Sequence, residues 1–483
     1  MPTKPMLPIH PWLATQRVAF VPGENASPLA REVLAGLRTA FHTLGHRIDE
    51  PPRPDTNLIF TTAPFGEPLN WRQALMFTAR RRFRLQTTPT VVTVVAVSPH
   101  RFQAALDHLA EALAHDPPRP EDFAYPGMAP QAYRTLVEQG RRGGPLLALE
   151  RVVQAQAKGL RIILTVGENR PQEAYLFDLV GAYPRIPFTH PDTFYTDIAL
   201  RLVTAVSAEE VTDHEIVPPP IAAEAWQRAE APRAMVRAGA AFGQRRFFTQ
   251  MVRINDLVAV PALEASISEQ YSEGCFATWE PTFPGLVATI TGSARPVAKD
   301  ALTEDELAVI VGVRPDRKGA LVRHVEGKRN DPPSSEAVEL FAIDEVLPRI
   351  RWQEHTVPVV RSKLHGHRGV ASYDPQVVEF APMSAAYHHF PVSCATRAQA
   401  EGIVEAFRRA ETLRNPADPR TLAFTIIPGH GMVVVEKWVP GKAPFQAIWE
   451  AMDNGALEIS PRVPQGPHHY EPRDGRMVIA EET

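Results

Sequence analysis

Residues 89–97 read PTVVTVVAV. Such an unbroken β-branched run has no polar face to offer water. As a strand it is stable only when covered on both sides. Helical patterns flank it at 71–85 and 99–115. Upstream, residues 17–22 (RVAFVP) and 57–62 repeat the apolar strand pattern. Between them, residues 27–44 carry an amphipathic period, with Ser27 as N-cap and Pro28 in the first helical position. Strands alternating with helices predict a parallel sheet covered on both faces. Residues 16–115 therefore read as a small Rossmann-like domain, and it lacks a nucleotide fingerprint.

The pattern resumes after a proline-rich stretch at 116–130, with a helix at 146–158, a strand at 161–166 (RIILTV) and a helix at 192–207. An Ala/Arg-rich helix at 222–242 and a buried strand at 256–261 (DLVAVP) follow. After residue 300 the strand-like pieces shorten and alternate, at 308–313, 320–325, 357–360, 424–427 and 432–439, with one strong helix at 397–413. The expected fold class is α/β: two Rossmann-like α/β domains (1–120 and 121–300) followed by a β-rich C-terminal domain (301–483). The chain has 48 prolines against 28 glycines. Eight of them fall at 116–130 and 217–220, where they mark boundaries.

Several function classes drop out on composition. A formal net charge of −4 argues against a nucleic-acid binder. Two cysteines, Cys275 and Cys394, exclude a disulfide scaffold and a cysteine-rich zinc module. There is no 18-residue apolar run and no apolar signal core at the N-terminus, so no membrane partner and a cytoplasmic location are expected. Dinucleotide, P-loop, nucleophile-elbow and HExxH motifs are absent from the sequence. The arginine run at 79–85 (ARRRFRL) could bind a phosphate or an acidic partner, but reads first as a solvated helix face or a domain contact.

Seventeen histidines make a His/carboxylate site worth seeking. Residues 255–300 carry Glu269, Glu273 and Glu280 after a buried strand, and a second strand ends at Lys299-Asp300. Carboxylates beyond the carboxyl ends of parallel strands lie where open α/β sheets bind ligands. Glu273 and Asp300 are thus the candidate catalytic pair, able to hold a divalent ion or share acid/base work. As a bland alternative, each caps a helix or faces solvent.

Candidate histidine ligands follow downstream: His324, His388-His389 and His468-His469. His365 and His367 have the i, i+2 spacing of one strand face, although their glycines suggest a turn. His430, between Gly429 and Gly431, fits either a close approach to a ligand or a tight turn.

The segment resembles the L-fucose isomerase/L-arabinose isomerase superfamily over residues 265–400. Glu273-Gly274-Cys275 is similar to an E-G-D segment, and Asp300 stands where a second acidic ligand is expected. ALVRHVEG at His324 is similar to a His-bearing strand, and AAYHHF at His388-His389 to a late histidine pair. The resemblance implies a metal set of Glu273, Asp300, His324 and His389 around a divalent ion such as Mn²⁺. It implies aldose–ketose isomerisation of a sugar or related polyol through an enediol, in a homo-oligomer. Cys275 replaces the family's Asp, which leaves a non-catalytic sugar-binding or regulatory homologue as the alternative.

Overall fold

The computed structural model describes residues 15–53, 55–65, 90–114, 161–177, 185–207, 213–248, 274–291, 298–384, 396–428, 430–460 and 468–480. They form a mixed α/β protein. The chain divides into two units: Met1–Ala208 with Val252–Ile267, and Glu209–Met251 with Ser268–Thr483. Among the described residues, no helix is long and apolar enough to cross a membrane.

The first unit holds a seven-stranded sheet. Its strands are β1 (Arg17–Phe20), β2 (Arg47–Ile48), β3 (Leu58–Pro64), β4 (Thr90–Val97), β5 (Arg161–Gly167), β6 (Pro171–Phe177) and β7 (Ile186–Pro187). The order is β2-β1-β3-β4-β5-β6-β7. The first five strands in that order pair in parallel, and β6 and β7 add antiparallel. Val92, Val94 and Ile163 are fully buried, as the apolar runs require. Helix Pro28–Thr43 begins as expected, with the Ser27 hydroxyl accepting the Ala30 N–H at 3.2 Å. It buries Val33, Leu37, Ala40 and Phe41 at helical spacing. Helices Pro99–Ala114 and Pro191–Ser207 complete this unit's described helices. The parallel pairing of β4 with β5 runs across residue 120.

The second unit is built on a nine-stranded sheet. In chain order its members are β8 (Glu215–Ile216), β9 (Cys275–Glu280), β10 (Gly285–Thr289), β11 (Leu307–Val313), β12 (Ala320–Arg323), β15 (Val360–Gly366), β17 (Val378–Phe380), β18 (Leu422–Ile427) and β19 (Gly431–Lys437). A hairpin of β13 (Arg349–Trp352) and β14 (His355–Pro358) stands apart. So does a sheet of β16 (Gly369–Tyr373), β20 (Leu457–Ser460), β21 (Tyr470–Arg473) and β22 (Arg476–Ile479). The large sheet runs β17-β18-β19-β15-β9-β10-β11-β12-β8. It is antiparallel except at its ends, where β12–β8 and β17–β18 pair in parallel.

This corrects the parallel reading for the described part of the 255–300 region, residues 274–291. The link between β9 and β10 is only residues 281–284, long enough for a hairpin and far too short for a parallel crossover. Pairing of β10 with β11 also runs across residue 300.

Helices cover both faces of this sheet. On one face, Glu230–Gln244 and Gln446–Asp453 pack Phe242, Phe445 and Ile448 against Phe276, Leu364 and Val434. On the other face lies helix Ser335–Val346, itself backed by helix Arg397–Arg409. Trp279, which alternates with Phe276, meets Phe341 of that helix at 6.1 Å.

The expected helix at 222–242 is two helices, Ala223–Arg228 and Glu230–Gln244, broken at Ala229 with ψ 144°. A continuous helix would drive the Pro232 ring into the Arg228 carbonyl. The buried Glu280 carboxylate accepts the Ala231 N–H at 2.9 Å and secures the new start. Glu436 does the same for helix Gln446–Asp453, accepting the N–H groups of Phe445 and Ala447 at 2.6 and 2.7 Å.

Candidate metal centre

Among the described residues, the one group of three or more His, Cys, Asp and Glu side chains able to hold a metal ion is Glu336, His365, His367 and His430. All four are buried, and one ligand atom from each lies within 4.8 Å of the others. Its position follows from the strand pairing. β15 lies mid-sheet between β9 and β19 and is antiparallel to both. The carboxyl end of β15, where His365 and His367 sit, therefore meets the amino end of β19, just after His430. Period-2 alternation points His365 to the face covered by the Glu336 helix, together with Cys275 directly opposite on β9.

Three glycines make this convergence sterically permissible. A Cβ on Gly431 would lie 2.2 Å from the Gly366 carbonyl oxygen, and one on Gly366 would lie 2.4 Å from the Phe247 ring. Gly274, at φ +85°, passes so close to the His365 carbonyl that a Cβ would sit at 2.5 Å. The glycines around His365, His367 and His430 thus let three backbone segments touch. Gly431→Ala is expected to cost roughly 1–3 kcal/mol through overpacking. It should also displace His430 and weaken metal uptake, measurable by urea unfolding and by metal titration.

Glu336 enters from the first turn of helix Ser335–Val346, where the N-terminal dipole favours a carboxylate. Two backbone bonds pin this start to the end of β10: Ser334 N–H to the Thr289 carbonyl at 2.8 Å and Thr291 N–H to the Pro332 carbonyl at 2.9 Å. Every residue from Ser335 to Asp344 is buried. The helix is therefore not amphipathic, and a search for a 3.6-residue apolar stripe passes over it. The readable signals were Pro332-Pro333-Ser334 before the start and Glu336 in the first turn.

The carboxylate is the hub. Glu336 Oε1 lies 3.4 Å from His430 Nε2, 3.5 Å from His365 Nε2 and 3.9 Å from His367 Nε2. His430 Nε2 and His365 Nε2 are 3.3 Å apart. His365 Nδ1 lies 2.9 Å from the Met432 carbonyl oxygen. With Nδ1 donating there, Nε2 is the nitrogen left to face the centre, and it can bind an ion once it carries no proton. Burial by itself pushes the Glu336 carboxyl up, but the charge and hydrogen bonding of the histidines outweigh it and hold Glu336 well below the usual range. Burial pushes His430 down to about 3, with the neighbouring His367 and His365 adding to the effect against the pull of Glu336. At neutral pH, Glu336 is thus an anion and His430 a neutral imidazole, the states that bind metal. Burial, then Glu336, raises the Cys275 thiol well above its ordinary value, so it stays protonated and is a poor nucleophile.

A histidine with a folded-state pKa below its unfolded value takes up a proton on unfolding. Its contribution is full above about pH 6.5 and is lost as pH falls toward 3, at roughly 1.4 kcal/mol per pH unit. In chelated protein, the stability of wild type relative to His430→Gln is therefore expected to fall by about that slope between pH 6.5 and 4.5. Urea unfolding at several pH values checks it, and a pH-independent difference would contradict it.

Of the four residues proposed from sequence, only Asp300 and His324 lie among the described residues. Glu273 and His389 lie outside the described residues, as do His388, Glu269, Cys394, the 71–85 and 146–158 helices, the 256–261 strand and the 79–85 arginine run. Asp300 is exposed on the turn Lys299–Ala301, packed where a Cβ on Gly243 would meet it at 2.4 Å. His324 follows β12, half-buried, its carbonyl accepting the Ile221 N–H at 2.8 Å. Neither Asp300 nor His324 belongs to the cluster. Glu280, buried at the end of β9, anchors a helix. Of the histidines read from sequence, the cluster takes His365, His367 and His430, and its carboxylate comes from a helix not anticipated there.

No family model matches the chain, and comparison with curated proteins and with solved structures gives no match.

The donor set itself is informative. Three imidazoles and one carboxylate suit divalent ions of intermediate softness such as Mn²⁺, Fe²⁺ or Zn²⁺, and are too nitrogen-rich for Mg²⁺ or Ca²⁺. Without a cation, converging lone pairs and a buried carboxylate carry a desolvation cost. A divalent ion offsets it.

Proposed function

We infer that the chain is a divalent-metal-dependent enzyme whose ion is held by Glu336, His365, His367 and His430. The observation carrying this reading is the convergence of four buried ligand groups, one from a helix start and three from neighbouring strand ends, within 4.8 Å. When bound, the ion would supply Lewis-acid activation of a carbonyl or hydroxyl oxygen. The protein's part is to fix the three imidazoles and the carboxylate, to orient His365 through the Met432 carbonyl, and to exclude bulk water.

Aldose–ketose isomerisation of a sugar or related polyol is the reaction proposed for this centre, by the sequence resemblance to the fucose/arabinose isomerases and their two Rossmann-like domains followed by a β-rich domain. The metal set differs from the one that resemblance implied. The test is an assay of Mn²⁺-loaded protein against a panel of aldoses for ketose formation. Turnover that chelation or Glu336→Gln abolishes is expected. Loaded protein that leaves every aldose unchanged would contradict the isomerase reading.

The closure of the site favours a second reading. Four buried protein ligands are the arrangement of a structural ion, whereas a catalytic ion keeps an open position. Water-proton relaxation on the Mn²⁺-loaded protein separates the two, since only an open ion exchanges water with the bulk.

A further inference from the structure

The polar row on this face of the sheet does not end at the metal ligands. Lys363 lies two residues before His365 on β15 and points to the same face, about 7 Å away along the strand. Its neighbours across β9 and β19 are Ala277 and Val435, small and apolar. On the covering helix, Glu336, Glu339, Ile343 and Asp344 recur at the spacing of one face.

Asp344 meets Lys363 in a buried ion pair, with side-chain exposures of 3% and 0%. One oxygen, Oδ2, receives the Lys363 ammonium. The other, Oδ1, is buried and has no hydrogen-bond partner among the described residues. An ammonium has three N–H donors, and Asp344 is the one acceptor the described residues give Lys363. A carboxylate oxygen lacking a donor and an ammonium with donors to spare stand side by side.

Such a pair matches a hydroxyl group, which gives its proton to one and accepts from the other. The metal centre favours oxygen donors in the same way. The geometry points to Lys363 and Asp344 as the distal binding element of the metal site. They would hold a hydroxyl of a small polyhydroxylated molecule whose other oxygens reach the ion. Along β15 the two sites are about 7 Å apart, a span suited to a linear molecule of about five carbons. This rests on the metal reading above and adds the residues that fix the ligand's far end.

The experiment is a crystal structure of Mn²⁺-loaded protein grown with xylitol, a linear five-carbon polyol, beside the Lys363→Met/Asp344→Leu double variant. In the wild type, a xylitol oxygen is expected within about 2.6–3.2 Å of Asp344 Oδ1. The double variant should keep its ion and lose that oxygen. An ion present with Asp344 Oδ1 packed dry, bonded to protein or bonded only to water overturns this inference and leaves the metal reading standing. A wild-type site that takes up no ion overturns the metal reading itself.

Discussion

Glu336→Ala is expected to abolish the thermal stabilisation that a divalent ion gives the wild type. A ligand bound only to the folded state stabilises it by about 2.7 kcal/mol at a hundredfold excess over Kd and about 4.1 at a thousandfold. For a unit of this size, 1 kcal/mol moves Tm by roughly 2–4 °C. Adding Mn²⁺ or Zn²⁺ to chelated wild-type protein should therefore raise Tm by about 5–16 °C. The variant should show almost no rise. Loss of a supporting outer partner already costs 10–100-fold in metal affinity, and Glu336 touches all three histidines directly. His365→Ala and His430→Ala should behave alike, because each removes one member of the same cluster. Calorimetric scans with and without the ion decide the matter. A variant that keeps the full shift would place the ion elsewhere.

The second large effect concerns the buried ion pair. Lys363→Met is expected to destabilise the protein by roughly 3–5 kcal/mol, because Asp344 is then left buried without its counter-charge. Burial already pushes the Asp344 carboxyl up to about 6, against the lowering effect of Lys363. Burial likewise lowers Lys363, against Asp344. Each charged form is thus held chiefly by the other, with Arg349 adding a smaller lowering effect on Asp344. The double variant Lys363→Met/Asp344→Leu should recover most of the loss, since an apolar pair of similar volume needs no compensation. Urea unfolding of the single and double variants gives the coupling directly. A double variant as unstable as the single one would mean that packing, and not charge, sets the cost. Recovery would show that this pair is not retained for stability, as a ligand-binding role requires.

The sequence announced its local elements more clearly than their partners. The Ser27–Pro28 start and the apolar runs at 57–62 and 89–97, observed as strands 58–64 and 90–97, could be read because each is dictated by neighbours in the chain. Mixed α/β class followed from them. Strand direction in the second unit was harder to see, because β9 and β10 are apolar on both faces and look like parallel strands. Only the four-residue link between them betrays the hairpin.

The centre was half visible. His365 and His367 showed strand spacing, and His430 showed a glycine setting that permits close approach. Nothing local said that the carboxyl end of β15 would meet the amino end of β19, since that depends on a pairing between residues more than sixty positions apart. Glu336 was hidden for a different reason. Its helix is buried all round, so it lacks the polar face by which a helix is normally read. Asp300 and His324 had the right chemistry in the sequence. The fold leaves the first exposed and the second half-buried, and neither is a member of the histidine cluster.

Metal content decides whether Glu336, His365, His367 and His430 hold an ion. Chelated wild-type chain should be incubated separately with Mn²⁺, Fe²⁺ under anaerobic conditions, and Zn²⁺, then desalted and measured by elemental analysis beside Glu336→Gln. About one equivalent of at least one ion per chain is expected in the wild type, and a large loss in the variant. A wild type that retains none of the three, or a variant that retains as much, would contradict it.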